Sequence, residues 1–266
     1  MKIKNLEGKD AGELKLPKQF EEAVNPDLIQ RAVLAVQSSR RQKYGVYPEA
    51  GKNVSAKLSR RRRDYRGSYG AGISRIPRKI LSRNGTRMNW VGALAPGTVG
   101  GRRAHPPKAE KNWVKKINKK ENRKAIRSAM SASMKKEIVN NRGHDVPENY
   151  PFFIESKFEE VGKTKDVIKA LHDLGLGKEL ERCSRKSIRA GKGKSRGRRY
   201  KKAIGPLIVV SKDCGLLKSG RNLAGINVIK VNEINAELLA PGCAPGRLTL
   251  FTKSAVEKIE KDKMFM

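Results

Sequence analysis

The chain has no run of 18 or more apolar residues, which excludes a membrane-crossing helix. Its apolar segments are short, Leu207-Ile208-Val209-Val210 among them. The opening residues MKIKNLEGKD turn polar at once and lack the apolar centre of a secretion signal, so export is not expected. Cysteine is scarce. Cys183, Cys214 and Cys243 lie about thirty residues apart without a CxxC pair, which argues against a disulfide framework or a zinc site. Histidine is scarcer in effect, since His105, His144 and His172 are scattered with no HxxxH pairing, so no metal ligand set is expected. Acid is what this sequence lacks most. Against 60 Lys+Arg stand 26 Asp+Glu, and 266 residues carry a formal charge of +34 with 37% hydrophobic content. Such a charge calls for a polyanionic partner, nucleic acid before acidic proteins or membrane surfaces. The expectation is a soluble, intracellular polyanion-binding protein.

The positive charge is concentrated. Residues 52–103 carry 14 basic side chains and one acid, Asp64, while 182–212 carry 12 basic side chains and none. The remainder is close to an ordinary soluble domain. The 52–103 stretch is punctuated by glycine and proline and shows almost no helical or strand periodicity. A long structureless segment inside a compact domain is unusual, so it reads as an extension that orders against its partner. Its candidate phosphate ligands are Arg60, Arg61, Arg62, Arg63, Arg66, Arg75, Arg78, Lys79, Arg83 and Arg87, in a segment that reads as penetrating RNA or DNA. Tyr65, Tyr69 and Trp90, interleaved among them, offer faces for unpaired bases.

The flanks have regular signals. Ile3 and Leu6, then Leu14 and Leu16, suggest two short strands. Asn25-Pro26-Asp27 opens a helix over 26–40 whose inner face is Leu28, Ile29, Ala32, Val33 and Val36. Asn118 with Glu121 resembles a capping box opening a helix with Ala125, Ile126, Ala129, Met130 and Ser133 inside. Its outer face, Lys119, Lys120, Arg123, Lys124 and Arg127, is a candidate phosphate surface. From 151 the pattern alternates: strand 152–154; a helix capped by Thr164 with Val167, Ile168, Leu171 and Leu174 inside; then, past the basic segment, strand 207–210. Helix 216–223, strand 226–231, helix 233–239, strand 248–252 and helix 254–261 complete it. This alternation predicts an α/β fold: a Rossmann-like parallel sheet flanked by helices, with a long extended basic internal loop.

Enzyme motifs fail on inspection. Gly193-Lys194-Ser195 ends like a phosphate loop, but Ile188 stands where its first glycine belongs. Gly191, Gly193 and Gly197 have the wrong spacing for a dinucleotide turn and follow no strand. The cysteines have no base beside them in sequence and read as small buried hydrophobes. No catalytic residues and no cofactor are expected.

Several motifs in order resemble one family. They are Gly100-Gly101-Arg102-Arg103-Ala104-His105-Pro106-Pro107-Lys108, Ile117-Asn118-Lys119-Lys120-Glu121, Arg142-Gly143-His144, and Lys163-Thr164-Lys165. Further on come Ile188-Arg189-Ala190-Gly191-Lys192-Gly193-Lys194 with Arg196-Gly197-Arg198, Arg221-Asn222-Leu223-Ala224-Gly225, Leu239-Ala240-Pro241-Gly242 and Pro245-Gly246-Arg247-Leu248-Thr249. Together they resemble the universal large-subunit ribosomal protein L-four family in its archaeal and eukaryotic branch. The ending soon after the last helix suggests an archaeal source.

The resemblance implies a structural constituent of the large ribosomal subunit, cytoplasmic, monomeric within the ribosome, and without a reaction of its own. It implies residues 1–44 and 111–266 as a globular domain and 45–110 as a loop penetrating rRNA to the peptide exit tunnel. The tunnel-facing tip would be Ile73, Ser74, Arg75, Ile76, Pro77 and Arg78. Arg102, Arg103, His105 and Lys108 would anchor the loop's return, and a second basic loop at 182–204 would bind rRNA through Arg189, Lys192, Lys194, Arg196, Arg198 and Arg199. Lys119, Lys120, Arg123 and Arg247 complete the expected rRNA ligands. Expected partners are large-subunit rRNA, neighbouring ribosomal proteins and the nascent polypeptide, with no membrane. Two rivals are a basic DNA- or RNA-binding regulatory protein outside the ribosome and an RNA methyltransferase.

Overall fold

A computed structural model describes residues 1–266. The chain divides into two compact units: Met1–Arg40 with Val114–Met266, and Arg41–Trp113. In chain order the first unit begins with β1 (Lys2–Lys4), β2 (Asp10–Glu13) and α1 (Pro26–Ser39). The second unit supplies β3 (Arg78–Asn84) and β4 (Arg87–Gly92). The first resumes with α2 (Lys119–Ser133), α3 (Lys136–Asn141), β5 (Phe153–Ile154), α4 (Thr164–Asp173) and α5 (Gly177–Ser184). Then come β6 (Lys186–Ile188), β7 (Tyr200–Lys202), β8 (Leu207–Val210), α6 (Gly215–Ser219) and β9 (Asn227–Lys230). The chain closes with α7 (Ala236–Leu239), β10 (Thr249–Phe251) and α8 (Lys253–Lys261).

The fold is α/β, built from helices and small sheets. β8 pairs in parallel with β10 and β9, giving the order β10-β8-β9. β1 pairs in parallel with β5 and antiparallel with β2, giving β2-β1-β5. A single parallel bridge between Ile154 and Thr252 links the two sets. Where the alternation predicts one parallel sheet, there are two three-stranded sheets, and β2 runs against its neighbour.

Alternation of side chains along β8 explains why its four residues are all apolar. Leu207 and Val209 enter one core with Phe20, Phe153, Ile229 and Phe251, whereas Ile208 and Val210 enter the other with Phe152, Ile154, Leu248 and Leu250. Helices cover both faces, so nothing polar is tolerated there. The first core also takes the inner faces of α1 and α2: Ile29, Ala32 and Val33 against Ala125, Ile126, Ala129 and Met130. In it the Phe20 ring meets Phe251 edge-on at 5.1 Å between centroids and Phe153 at 6.3 Å. The second core takes Val167, Leu171 and Leu174 of the α4 region.

Helix starts follow local chemistry. Asn25 accepts from the Leu28 N–H at 3.2 Å, and Pro26 occupies the first helical position. The Asn118 N–H donates to Glu121 at 3.4 Å in a capping box. Several details depart from the sequence pattern: Leu14 and Leu16 lie just past β2, and α6 and α7 are shorter than the 216–223 and 233–239 expected. Thr164 is the first residue of α4 and Lys163 is its cap; and Ile168, expected inside, is 38% exposed because it falls off the Val167–Leu171 stripe. Gly175 ends that region with φ +84.

Candidate nucleic-acid interface

The Arg41–Trp113 unit is not structureless. β3 and β4 form an antiparallel hairpin closed by Gly85-Thr86, with Asn84 opposite Arg87 and Gly85 at φ +57. The register slips between Ile80 and Ser82, leaving Leu81 in a bulge and 65% exposed. That slip breaks the alternation that a sequence pattern needs. Each ring expected to stack on bases already carries a guanidinium. Arg83 lies 4.5 Å from the Tyr65 centroid, Arg75 4.5 Å from Tyr69, and Arg78 5.4 Å from Trp90. These pairs order both partners, and Tyr65 and Tyr69 remain 46% and 41% exposed.

Segment 74–78 is a bend stapled from within, since Arg78 donates to the Ser74 carbonyl at 2.5 Å and its hydroxyl at 2.8 Å. Arg60, Arg61, Arg62, Arg63, Arg83 and Arg87 are exposed, as are Arg102, Arg103, His105 and Lys108. Asp64, the acid among them, bonds to the Ser59 hydroxyl and the Tyr65 N–H, which hold its carboxyl below its ordinary value. The outgoing and returning strands of the unit meet where the Val46 N–H donates to the Pro107 carbonyl at 3.1 Å. Beside them Tyr44 stacks on Trp113 at 5.4 Å, and the Arg41 guanidinium lies 3.7 Å over Trp113.

In the first unit the basic segment forms a second hairpin. β6 and β7 pair antiparallel, Lys186 with Lys202 and Ile188 with Tyr200. Arg189 shapes it from inside: its N–H donates to Arg199 at 2.8 Å and its guanidinium to the Arg198 and Tyr200 carbonyls at 3.0 and 3.4 Å. Lys192, Lys194, Arg196, Arg198 and Arg199 point to solvent around it. Glycines at positive φ, Gly191 and Gly197, turn the connection.

Arg247 is a correction. Expected among the rRNA ligands, it is 2% exposed and spends its donors on protein. It donates to the Gly205 carbonyl at 2.8 Å, the Leu238 carbonyl at 3.0 Å and Asn227 Oδ1 at 2.6 Å. Burial, with Arg142 nearby, lowers its pKa to about 10, which leaves it charged at neutral pH. It holds the residue after Ile204, whose own carbonyl accepts from Arg182 at 2.8 Å. Two guanidiniums therefore fix consecutive carbonyls at the base of the β6–β7 hairpin. Arg182 is in turn held by fully buried Glu179, through two bonds of 2.7 Å. Glu179 also meets His144 Nδ1 at 2.7 Å and the Asp145 N–H at 3.0 Å. Burial alone would raise the Glu179 carboxyl, but Arg182, His144 and the Asp145 N–H hold it down to about 2. Sequence reasoning missed this cluster because Glu179 and His144 carry no motif that separates a buried polar group from an exposed one.

The outer face of α2 is also partly spent internally. Lys119 and Lys120 are exposed. Arg123 donates to the Met266 carbonyl at 2.6 Å; Arg127, expected on the phosphate surface, is 21% exposed and pairs with Glu22 at 2.8 Å. At the C-terminal ends of β8 and β10, where doubly wound sheets hold phosphates, stands Glu159. It accepts from the Ser211 N–H at 2.9 Å and from the Ser211, Thr252 and Ser254 hydroxyls at 2.7, 2.6 and 2.6 Å. Burial opposes its charge, yet these bonds hold the carboxyl below its ordinary value, so the crevice presents a negative charge. Cys183 is no better placed for chemistry, since burial and the Glu179 charge push its thiol up to about 11.

The profile of the "Ribosomal protein L4/L1 family" matches residues 14–262. The chain belongs to this family. It is 47% identical over 262 residues to the "Large ribosomal subunit protein uL4" of Nanoarchaeum equitans, covering 98% of this chain and 97% of that one. It is 45% identical over 257 residues to the protein of the same name from Archaeoglobus fulgidus, covering 96% of each. With that of Methanoculleus marisnigri the identity is 46% over 261 residues, 97% of this chain and 98% of the relative. The family match spans both basic hairpins and every buried core residue but Ile3, so the exposed cations belong to the part of the chain that the relatives share.

Proposed function

We propose that this protein is a structural constituent of the large ribosomal subunit, cytoplasmic, that binds and stabilises rRNA and catalyses no reaction. Membership of a family whose relatives are named as large-subunit proteins carries the reading. The charge map supports it: residues 41–113 hold 18 basic and 3 acidic side chains on a small framework of arginine–aromatic stacks. Exposed arginines bind phosphates through planar, permanently charged forks. In the second unit the exposed groups are Arg60–Arg63, Arg75, Arg83, Arg87, Arg102 and Arg103, with His105 and Lys108, and half-buried Arg66 and Lys79 stand with them. In the first they are Lys119, Lys120 and the cations of the β6–β7 hairpin.

The finer reading is that residues 45–110 thread folded rRNA, that Ile73–Arg78 faces the peptide exit tunnel and the nascent chain, and that neighbouring ribosomal proteins pack alongside. The parallel pairing of β8 with β9 and β10 supports a Rossmann-like arrangement in that part of the globular unit. The test is sedimentation of tagged full-length protein and a variant lacking 60–101, from cells, before and after a high-salt wash. Full-length protein should stay with the large subunit through the wash and the deletion should be retained less. Protein that washes off readily, or travels with DNA, contradicts the proposal in favour of a basic nucleic-acid binder outside the ribosome.

A further inference from the structure

The β6–β7 hairpin carries a feature that phosphate binding does not use. It is a two-stranded sheet paired with no other strand. Its register puts Ile188 opposite Tyr200 and Lys186 opposite Lys202, and alternation along each strand sets these four side chains on one face. Ile188 is 63% exposed and Tyr200 49%. The Arg199 guanidinium lies 5.6 Å from the Tyr200 centroid but leaves the ring half exposed, so most of the isoleucine–tyrosine pair faces water, and around it Arg185–Lys202 carry ten basic residues and no acid. A flat apolar patch between cations matches a flat apolar ring between anions.

We propose that the Ile188–Tyr200 pair is a stacking site for an unpaired RNA base, with Lys186 and Lys202 taking the phosphates on either side of that nucleotide. The inference rests on the RNA-binding reading above and adds a site to it. A duplex offers no such partner, because its bases are covered by one another and only its phosphates and groove edges are presented. The hairpin is prepared for the task. Arg189 braces its strands from inside, and Arg182 and Arg247 fix the Ile204 and Gly205 carbonyls at its base. Gly205 lies so close to Cys183 that a Cβ there would come within 2.5 Å of the sulfur, which locks the hairpin's return against the end of α5. Little ordering remains to be done on binding.

The experiment measures binding of the full chain to a short oligouridine and to an RNA duplex of the same length, across a salt series. Tyr200→Ala should weaken oligouridine binding about five- to tenfold or more, at unchanged salt slope, and leave duplex binding unchanged. Tyr200→Phe keeps the ring and should bind both probes like the wild type. The double variant Lys186→Gln/Lys202→Gln should instead lower the salt slope by about 1.4 on the single strand and about 1.8 on the duplex. Tyr200 is exposed, so its loss should leave the thermal transition in place. Oligouridine binding by Tyr200→Ala equal to wild type, or an equal loss on both probes, overturns the stacking site while leaving RNA binding intact. A wild-type chain that binds neither probe overturns the RNA reading and this site with it.

Discussion

Replacing residues 41–113 by a short Gly/Ser linker should leave a folded, more stable remainder. Both hydrophobic cores draw on residues 1–40 and 114–266 alone. The ends to be joined are already adjacent, because the Lys115 N–H donates to the Ser38 hydroxyl at 2.9 Å. Shortening a connection of roughly seventy residues to about six lowers the entropy of closing it by about 2 kcal/mol, from the logarithmic dependence on loop length. The formal charge falls from +34 to +19, because 18 basic and 3 acidic residues leave together. That relieves self-repulsion and adds to the gain at low salt. Urea unfolding followed by circular dichroism is the assay. A cooperative transition with a midpoint at or above that of the full protein is expected. Loss of cooperativity, or a compact state that binds a hydrophobic dye, would refute the claim that the cores are complete without the basic unit.

Two further outcomes follow from the buried polar groups. Glu179 has a folded pKa of about 2 against an ordinary 4.5, so its contribution is fully present above pH 4.5 and is lost as pH falls toward 2. Glu179→Gln should therefore cost about 2–3 kcal/mol at pH 7 and flatten the acid limb of the stability curve, read from urea midpoints at pH 7 and pH 3. An unchanged acid limb contradicts the assignment. Arg247→Met strands the Gly205 and Leu238 carbonyls and Asn227 Oδ1, and should destabilise by about 1–3 kcal/mol for each acceptor left without a donor. Because Arg247 is buried, the salt slope of RNA binding should not change; a slope reduced by about one contact would return Arg247 to the phosphate ligands.

What was legible in the sequence was whatever local chemistry decides. Asn25-Pro26 marks the start of α1 because cap and first turn need only their own residues. Leu207–Val210 reads as a buried strand because both its faces are covered. The β3–β4 hairpin was hidden by the bulge at Leu81, which shifts the alternation midway, and by arginines that stack on Tyr65, Tyr69 and Trp90 in place of an apolar layer. Helix α5 escaped because its buried face includes Glu179, a residue type that composition assigns to the surface. Arg247 and Arg127 were misplaced for the converse reason. Nothing adjacent in sequence says whether an arginine's partner is a phosphate or a carbonyl brought in by the fold, such as that of Gly205, or a carboxylate such as Glu22.

The pairing of β1 with β5 sets the order in which this protein becomes itself. Ile3 lies against Phe153, so the first strand to leave the site of synthesis has only the short β2 beside it, and its other edge stays open until most of the chain has followed. α1, whose Ile29 and Val33 need Ala125 and Ala129, waits nearly as long. Between those events the strongly cationic residues 41–113 emerge in full. During every round of its own production the chain thus exposes its most adhesive part before its scaffold can close, and polyanions in the surroundings compete for it from that moment.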